Sequence, residues 1–133
     1  MPVRGIRGAT TAENNTREAV LDATRELLAA VIEANDIVPD DVASAWFTTS
    51  PDLNAEFPAV VAREDFDWTF VPLMCSHDMS VPGSLPLCVR ILLHVNTDLS
   101  PQEIKHAYLR GAVALRKDLT EEATGASEES WSP

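Results

Sequence analysis

The longest regular pattern in the chain runs from Leu85 to Thr97, where Leu87, Val89, Ile91, Leu93 and Val95 alternate with Cys88, Arg90, Leu92, His94 and Asn96. A period of two predicts a β-strand with one face on a core. Val3–Thr11 and Val42–Thr49 read as two further strands, with Gly5 and Gly8 marking bulges or close approaches in the first. Between them Val20, Ala23, Leu27, Val31 and Ala34 recur at spacings of three and four, which predicts a helix that lays one apolar stripe on a sheet. Asn15 with Glu18 has the spacing of a capping box for its start. Asn35 and Asp36 end it, and Pro39-Asp40-Asp41 makes a turn.

The middle of the chain is more broken. Ser50 to Asn54 interrupts the second strand, and Phe57-Pro58-Ala59 opens a short helical segment reaching Arg63. Trp68 to Cys75 reads as a strand, which Pro72 consigns to an edge or a bulge. A loop follows from His77 to Ser84. Ser100-Pro101-Gln102-Glu103 combines a capping box with proline at the first helical position and predicts a helix to about Arg110, closed by Gly111. Ala112–Leu115 reads as a last short strand. The order β-α-β-β-β-α-β predicts an α/β chain of the α+β kind, a mixed sheet with helices on one face. From Asp118 onward the composition turns polar and acidic, too poor in apolar residues to order itself. The expected organisation is one domain over 1–117 and a flexible tail over 118–133.

Composition narrows the function. No apolar run approaches the ~20 residues of a membrane span, and charge and glycine interrupt the N-terminus before any secretory apolar region forms. A cytoplasmic protein is expected. Net charge is 10 − 21 = −11, a poor match to nucleic acid or to an anionic membrane. The cations are mostly arginine, eight against two lysines, and arginine's planar fork suits carboxylates. Cys75 and Cys88 make no disulfide framework and read as free thiols.

Arg90 is the most informative single residue, because it stands mid-strand among apolar neighbours. A cation there needs an anion, either an internal carboxylate or a bound ligand, unless that sheet face is exposed. Arg7 lies in the first strand, with Arg4 expected on the opposite face. Tyr108 is the only tyrosine, and its hydroxyl could donate to a carboxylate or could simply lie at a wet edge. Cys75, His77 and Asp78 lie close together, but a zinc site would need ligands from elsewhere, and no CxxC or HExxH occurs. Neither a phosphate-binding loop nor a dinucleotide fingerprint is present.

Taken together, RGIRGATT at 4–11, TSPDLNAEFPA at 49–59, Arg63, VPLMCSHDM at 71–79, CVRILLHVNTD at 88–98 and IKHAYLRGAVALRKDL at 104–119 resemble the bacillus-type chorismate mutases in order and spacing. The resemblance covers about residues 1–119. It implies a homotrimer forming a pseudo α/β barrel, with an active site in each cleft between neighbouring subunits and no cofactor or metal. The reaction would be the [3,3] rearrangement of chorismate to prephenate, in phenylalanine and tyrosine biosynthesis. Arg90 would then bond the ether oxygen and a substrate carboxylate, and Arg7 and Tyr108 would hold a carboxylate. Cys75 would contact the ring hydroxyl. Phe57 and Arg63 would come from the adjacent subunit, and Leu115 and Arg116 would close the mouth. Met74, Ser76 and the loop VPGS at 81–84 depart from the family pattern, and two further departures bear on the site. Asp78 stands where a glutamate reaches the ring hydroxyl, and Val60 where a lysine is common. Two other functions stay open on the sequence: a non-catalytic module that binds chorismate, and a trimeric imine or enamine deaminase of similar architecture.

Overall fold

The computed structural model describes residues 1–115; Arg116 and the tail predicted over 118–133 lie outside the described residues. Five strands form one mixed sheet in the order β3-β2-β4-β1-β5. They are β1 (Val3–Thr11), β2 (Val42–Thr49), β3 (Leu73–His77), β4 (Cys88–Asn96) and β5 (Ala107–Tyr108). The alternating strand seen in the sequence is β4, the central one, and it runs antiparallel to both β1 and β2. The edge strands β3 and β5 run parallel to their neighbours.

Helix α1 (Arg17–Asn35) and the short α2 (Val60–Asp65) lie on one face. Val20, Leu27, Leu28 and Val31 of α1 are fully buried with Ile6, Phe47, Ile91 and Leu93 of the sheet. At Gly8 helix and sheet approach closely. A Cβ there would stand 3.0 Å from Leu27 Cδ1 and 3.2 Å from both Ile91 Cγ1 and Val31 Cγ2. The helix starts one residue later than the capping box suggests: Thr16 caps it, accepting from the Ala19 N–H, and Asn15 is turned to another task described below. At the other end Asp36 adopts a left-handed conformation and its N–H returns to the Ile32 carbonyl.

Three predicted elements change form. Trp68 is not part of a strand; it fills the core at 1% exposure, and its N–H closes α2 on the Ala62 carbonyl. The edge strand begins only after Pro72, whose carbonyl accepts from Ala45 N–H. The capping box at Ser100 and Glu103 does form its reciprocal bonds, but no helix propagates. The buried Asn35 amide captures both backbone groups of Lys105, donating to its carbonyl at 2.8 Å and accepting its N–H at 2.9 Å. With those groups taken, residues 107–108 pair with β1 instead, so Tyr108 stands on a strand rather than on a helix. Ala112–Leu115 is likewise no strand but part of a 3-10 turn, Arg110–Leu115.

The second face of the sheet carries Gly5, Arg7 and Ala9 of β1, Trp46 and Thr48 of β2, Met74 of β3 and Arg90 and Leu92 of β4. Neither α1 nor α2 packs on it, and Trp46 and Met74 remain 42% and 60% exposed. No helix of the described residues is long and apolar enough to cross a membrane.

Candidate active site

The alternation of β4 sends Val89, Ile91 and Leu93 into the helix layer and so turns Arg90 to the second face. There it lies between Ala9 of β1 and Thr48 of β2. Its side chain is 24% exposed, and Nε stands 3.3 Å from Asp78 Oδ2. The pair is an ion pair without hydrogen-bond alignment: Nε is buried and finds no hydrogen-bond acceptor among the described residues. Burial pushes the nearby Cys88 thiol above its ordinary range although the Arg90 guanidinium pulls the other way, so the thiol stays neutral beside the cation. Arg90 and Asp78 open into a cleft of about 320 Å³, also lined by Ser50, Asp52, Val81 and Leu85.

Tyr108 enters the same face from the far side of Ala9, its partner in the β1–β5 register. Ala9 is thus a small floor between the arginine and the phenol. The Tyr108 hydroxyl is buried and, like Arg90 Nε, has no partner among the described residues. Arg7 stands on this face two residues before Ala9. Its N–H donates to His106 Nδ1 at 3.0 Å, which places any proton of the neutral imidazole on Nε2 and ties the start of β5 to β1. Leu115 ends the 3-10 turn, whose root is held where Arg110 donates from Nη1 to the Thr11 carbonyl and from Nε to Glu26, both at 3.0 Å.

Phe57, Arg63 and Cys75 form a second group. Cys75 pairs with Phe47 in the register and, like it, points to the helix layer, across the sheet from Arg90. Burial raises the pKa of its thiol, with Arg63 close enough to oppose the shift. Phe57 is 66% exposed beside a cleft of about 410 Å³ that Cys75 also lines. Its loop is built from the start of α1. Asn15 Oδ1 accepts the N–H groups of Asn54 and Ala55 at 3.0 Å, and Arg17 bonds Glu56 at 2.9 Å. The N–H of Phe57 and then Arg17 hold the Glu56 carboxyl below its usual range.

The predicted residues therefore gather as two sets, Arg7, Asp78, Arg90 and Tyr108 on one face, and Phe57, Arg63 and Cys75 at the other. Cys75 belongs with the second set, although the sequence offered no sign of it. His77 Nδ1 lies 2.9 Å from Thr49 Oγ1, and no cluster of three or more His, Cys, Asp and Glu side chains forms among the described residues. Sequence reasoning missed Asn15, Ser50, Asp52 and Glu56. The signal for the last three was the polar turn SPDLNAE itself, which reads as a strand break until its bonds are seen; Asn15 read only as a helix cap.

Residues 3–119 match the family described as chorismate mutase type I. The chain is 44% identical over 120 residues to a chorismate mutase of Bacillus subtilis, covering 90% of this chain and 94% of that one. It is 48% identical over 118 residues to a chorismate mutase of Thermus thermophilus, covering 88% and 96%. A solved chorismate mutase from Clostridium thermocellum superposes with a TM-score of 0.80 at 46% identity, over 82% of this chain and 96% of that one.

Proposed function

The chain belongs to the type I chorismate mutases and rearranges chorismate to prephenate, and we propose that it does so in a cleft shared by neighbouring subunits of a cytoplasmic homotrimer. The observation that carries the site is the pair of buried donors, Arg90 Nε and the Tyr108 hydroxyl, that flank Ala9 with no acceptor among the described residues. A buried donor without an acceptor is costly, and a ligand bearing carboxylate and ether oxygens would satisfy both.

The chemistry asks little else. Chorismate is a dianion, and its rearrangement breaks a C–O bond as a C–C bond forms within one molecule. No nucleophile, proton carrier, metal or cofactor takes part. The protein contributes by holding the enolpyruvyl chain over the ring and by placing a fixed cation where negative charge grows on the ether oxygen. In this reading Arg90 faces that oxygen, Arg7 and Tyr108 hold a carboxylate, and Asp78 turns to the ring hydroxyl. Phe57, Arg63 and Cys75 come from the next subunit, and Leu115 and Arg116 close the mouth.

Two features favour the shared cleft. Cys75 lies across the sheet from Arg90, so the two cannot meet one small substrate within a chain. The uncovered sheet face, with Trp46 and Met74 exposed, is also apolar enough to seek a partner surface. The test is the loss of chorismate diene absorbance on adding purified protein, with prephenate confirmed by acid conversion to phenylpyruvate. Chorismate that raises the melting temperature without turnover would make the protein a binding module. Ammonia released from 2-iminopropanoate would make it a deaminase.

A further inference from the structure

The corner that ends β2 holds both charged partners of the Arg90 site. Thr49 contributes its carbonyl, which accepts the N–H of Asp78 at 2.8 Å. Ser50, next in the chain, clasps Cys88 twice. Its N–H donates to the Cys88 carbonyl at 2.9 Å, and its Oγ accepts the Cys88 N–H at 2.8 Å. Ser50 Oγ donates in turn to Asp52, and the Asp52 carboxylate receives the N–H of Leu87 on both oxygens, at 3.0 and 3.1 Å. Ser50 is 6% exposed.

This clasp meets the chain at an unusual point. Leu87 has φ 52°, a left-handed conformation that a branched side chain seldom adopts without external support. Its carbonyl is also held, by the N–H of Ala12. The left-handed residue turns the loop into β4 immediately before Cys88, and Arg90 follows two residues later. Any change in that turn moves the guanidinium relative to Asp78, which the same corner fixes from the other side.

We infer that Ser50 and Asp52 are positioning residues: they hold Leu87 and Cys88 so that Arg90 meets the ether oxygen of the substrate in register with Asp78. This rests on the site reading above. Asp52 acts through its hydrogen bonds. The Ser50 hydroxyl and the Leu87 N–H hold its carboxyl below the usual range despite partial desolvation, which fits a carboxylate committed to donors of the protein. A displacement of about 1 Å at the reacting group can cost ~10²-fold in rate.

The experiment compares kcat, KM and circular dichroism for Asp52→Ala, Asp52→Asn and Ser50→Ala, with Arg90→Ala run beside them. Asp52→Ala is expected to lower kcat by roughly 10²-fold while KM stays within about threefold. Asp52→Asn keeps an oxygen for the Leu87 N–H and should recover most of that loss. Ser50→Ala frees the Cys88 N–H and should lower kcat in the same way; it serves as the reading if Asp52→Ala does not fold. Folded variants with kcat within threefold of the parent would overturn the inference, as would an Asn variant as impaired as the Ala variant. Failure of the underlying site reading is distinguishable, because Arg90→Ala would then retain the parent kcat.

Discussion

Arg90→Ala removes the only described cation that stands 3.3 Å from Asp78 on the second face. Two effects follow. The first, in the proposed site, is the loss of a fixed donor at the oxygen where charge grows, which typically lowers kcat by ~10²–10³. The second concerns the carboxylate left behind. Asp78 would face a dianionic substrate without its counter-charge, and a unit charge about 7 Å away at an effective dielectric near 20 is worth roughly 2 kcal/mol of repulsion. That corresponds to a KM higher by about thirtyfold. Initial rates of chorismate loss, corrected for the uncatalysed reaction, separate the terms. Arg90→Ala should show both, and Arg90→Ala with Asp78→Asn should recover KM but not kcat. Arg90→Lys keeps the charge yet loses the planar fork and should fall between. A kcat for Arg90→Ala within tenfold of the parent would refute the role given to this residue. Failure of Asp78→Asn to lower KM would refute the electrostatic part alone.

Three other outcomes are expected. Gly8→Ala places a Cβ 3.0–3.2 Å from Leu27, Ile91 and Val31, and overpacking of that order costs about 1–3 kcal/mol, so a thermal melt should shift down by roughly 3–10 °C; an unchanged Tm would show that α1 moves aside freely. Burial raises both thiols, so the folded chain holds protons that the unfolded chain releases; this stability is full below the ordinary thiol range and declines as pH rises through it. Cys75 and Cys88 should accordingly react with iodoacetamide at pH 8 more slowly than in urea-unfolded protein, and equal rates would contradict their burial. Co-refolding Arg90→Ala chains with chains carrying both Phe57→Ala and Arg63→Ala should restore about a quarter of the parent sites, since a random trimer joins intact halves at that frequency. Additive loss without recovery would place the whole site within one chain.

The sequence carries those parts of the fold whose pattern is set locally by burial. Strands β1 and β2 and helix α1 are legible because each presents one apolar face at a fixed period. The errors fall where a distant group decides. Nothing local to Lys105 shows that the Asn35 side chain, 70 residues earlier, takes both of its backbone groups, so the capping box at Ser100 predicts a helix that tertiary bonding prevents. Trp68 has high strand propensity but is drawn into the core as the chain leaves α2. For the candidate site, the sequence offers residue types but not their arrangement. Arg90 was marked by a charge in an apolar alternation, but which face Cys75 shares depends on the β2–β3 register, which no spacing encodes.

The arrangement also bears on how an acidic chain handles a dianion. A net charge of −11 repels chorismate at long range, and Val60, buried in the core cluster, adds no cation to offset it. Recognition must then act within a Debye length, about 8 Å at physiological salt. The described chain meets that demand locally: Arg7 and Arg90 share one sheet face, and the nearest carboxylates there are already engaged, Asp52 by the Leu87 N–H and Ser50 hydroxyl and Asp78 by Arg90 itself. Asp78 is the hinge of this balance. While it neutralises Arg90 it lowers the cost of a half-buried guanidinium in the unliganded protein, and its one-carbon-shorter reach than glutamate keeps it against the cation. In the proposed site, substrate would draw Arg90 into a second, stronger interaction without displacing that carboxylate far. The misaligned Nε, 3.3 Å from Asp78 yet without a hydrogen bond, leaves a donor unspent for that purpose.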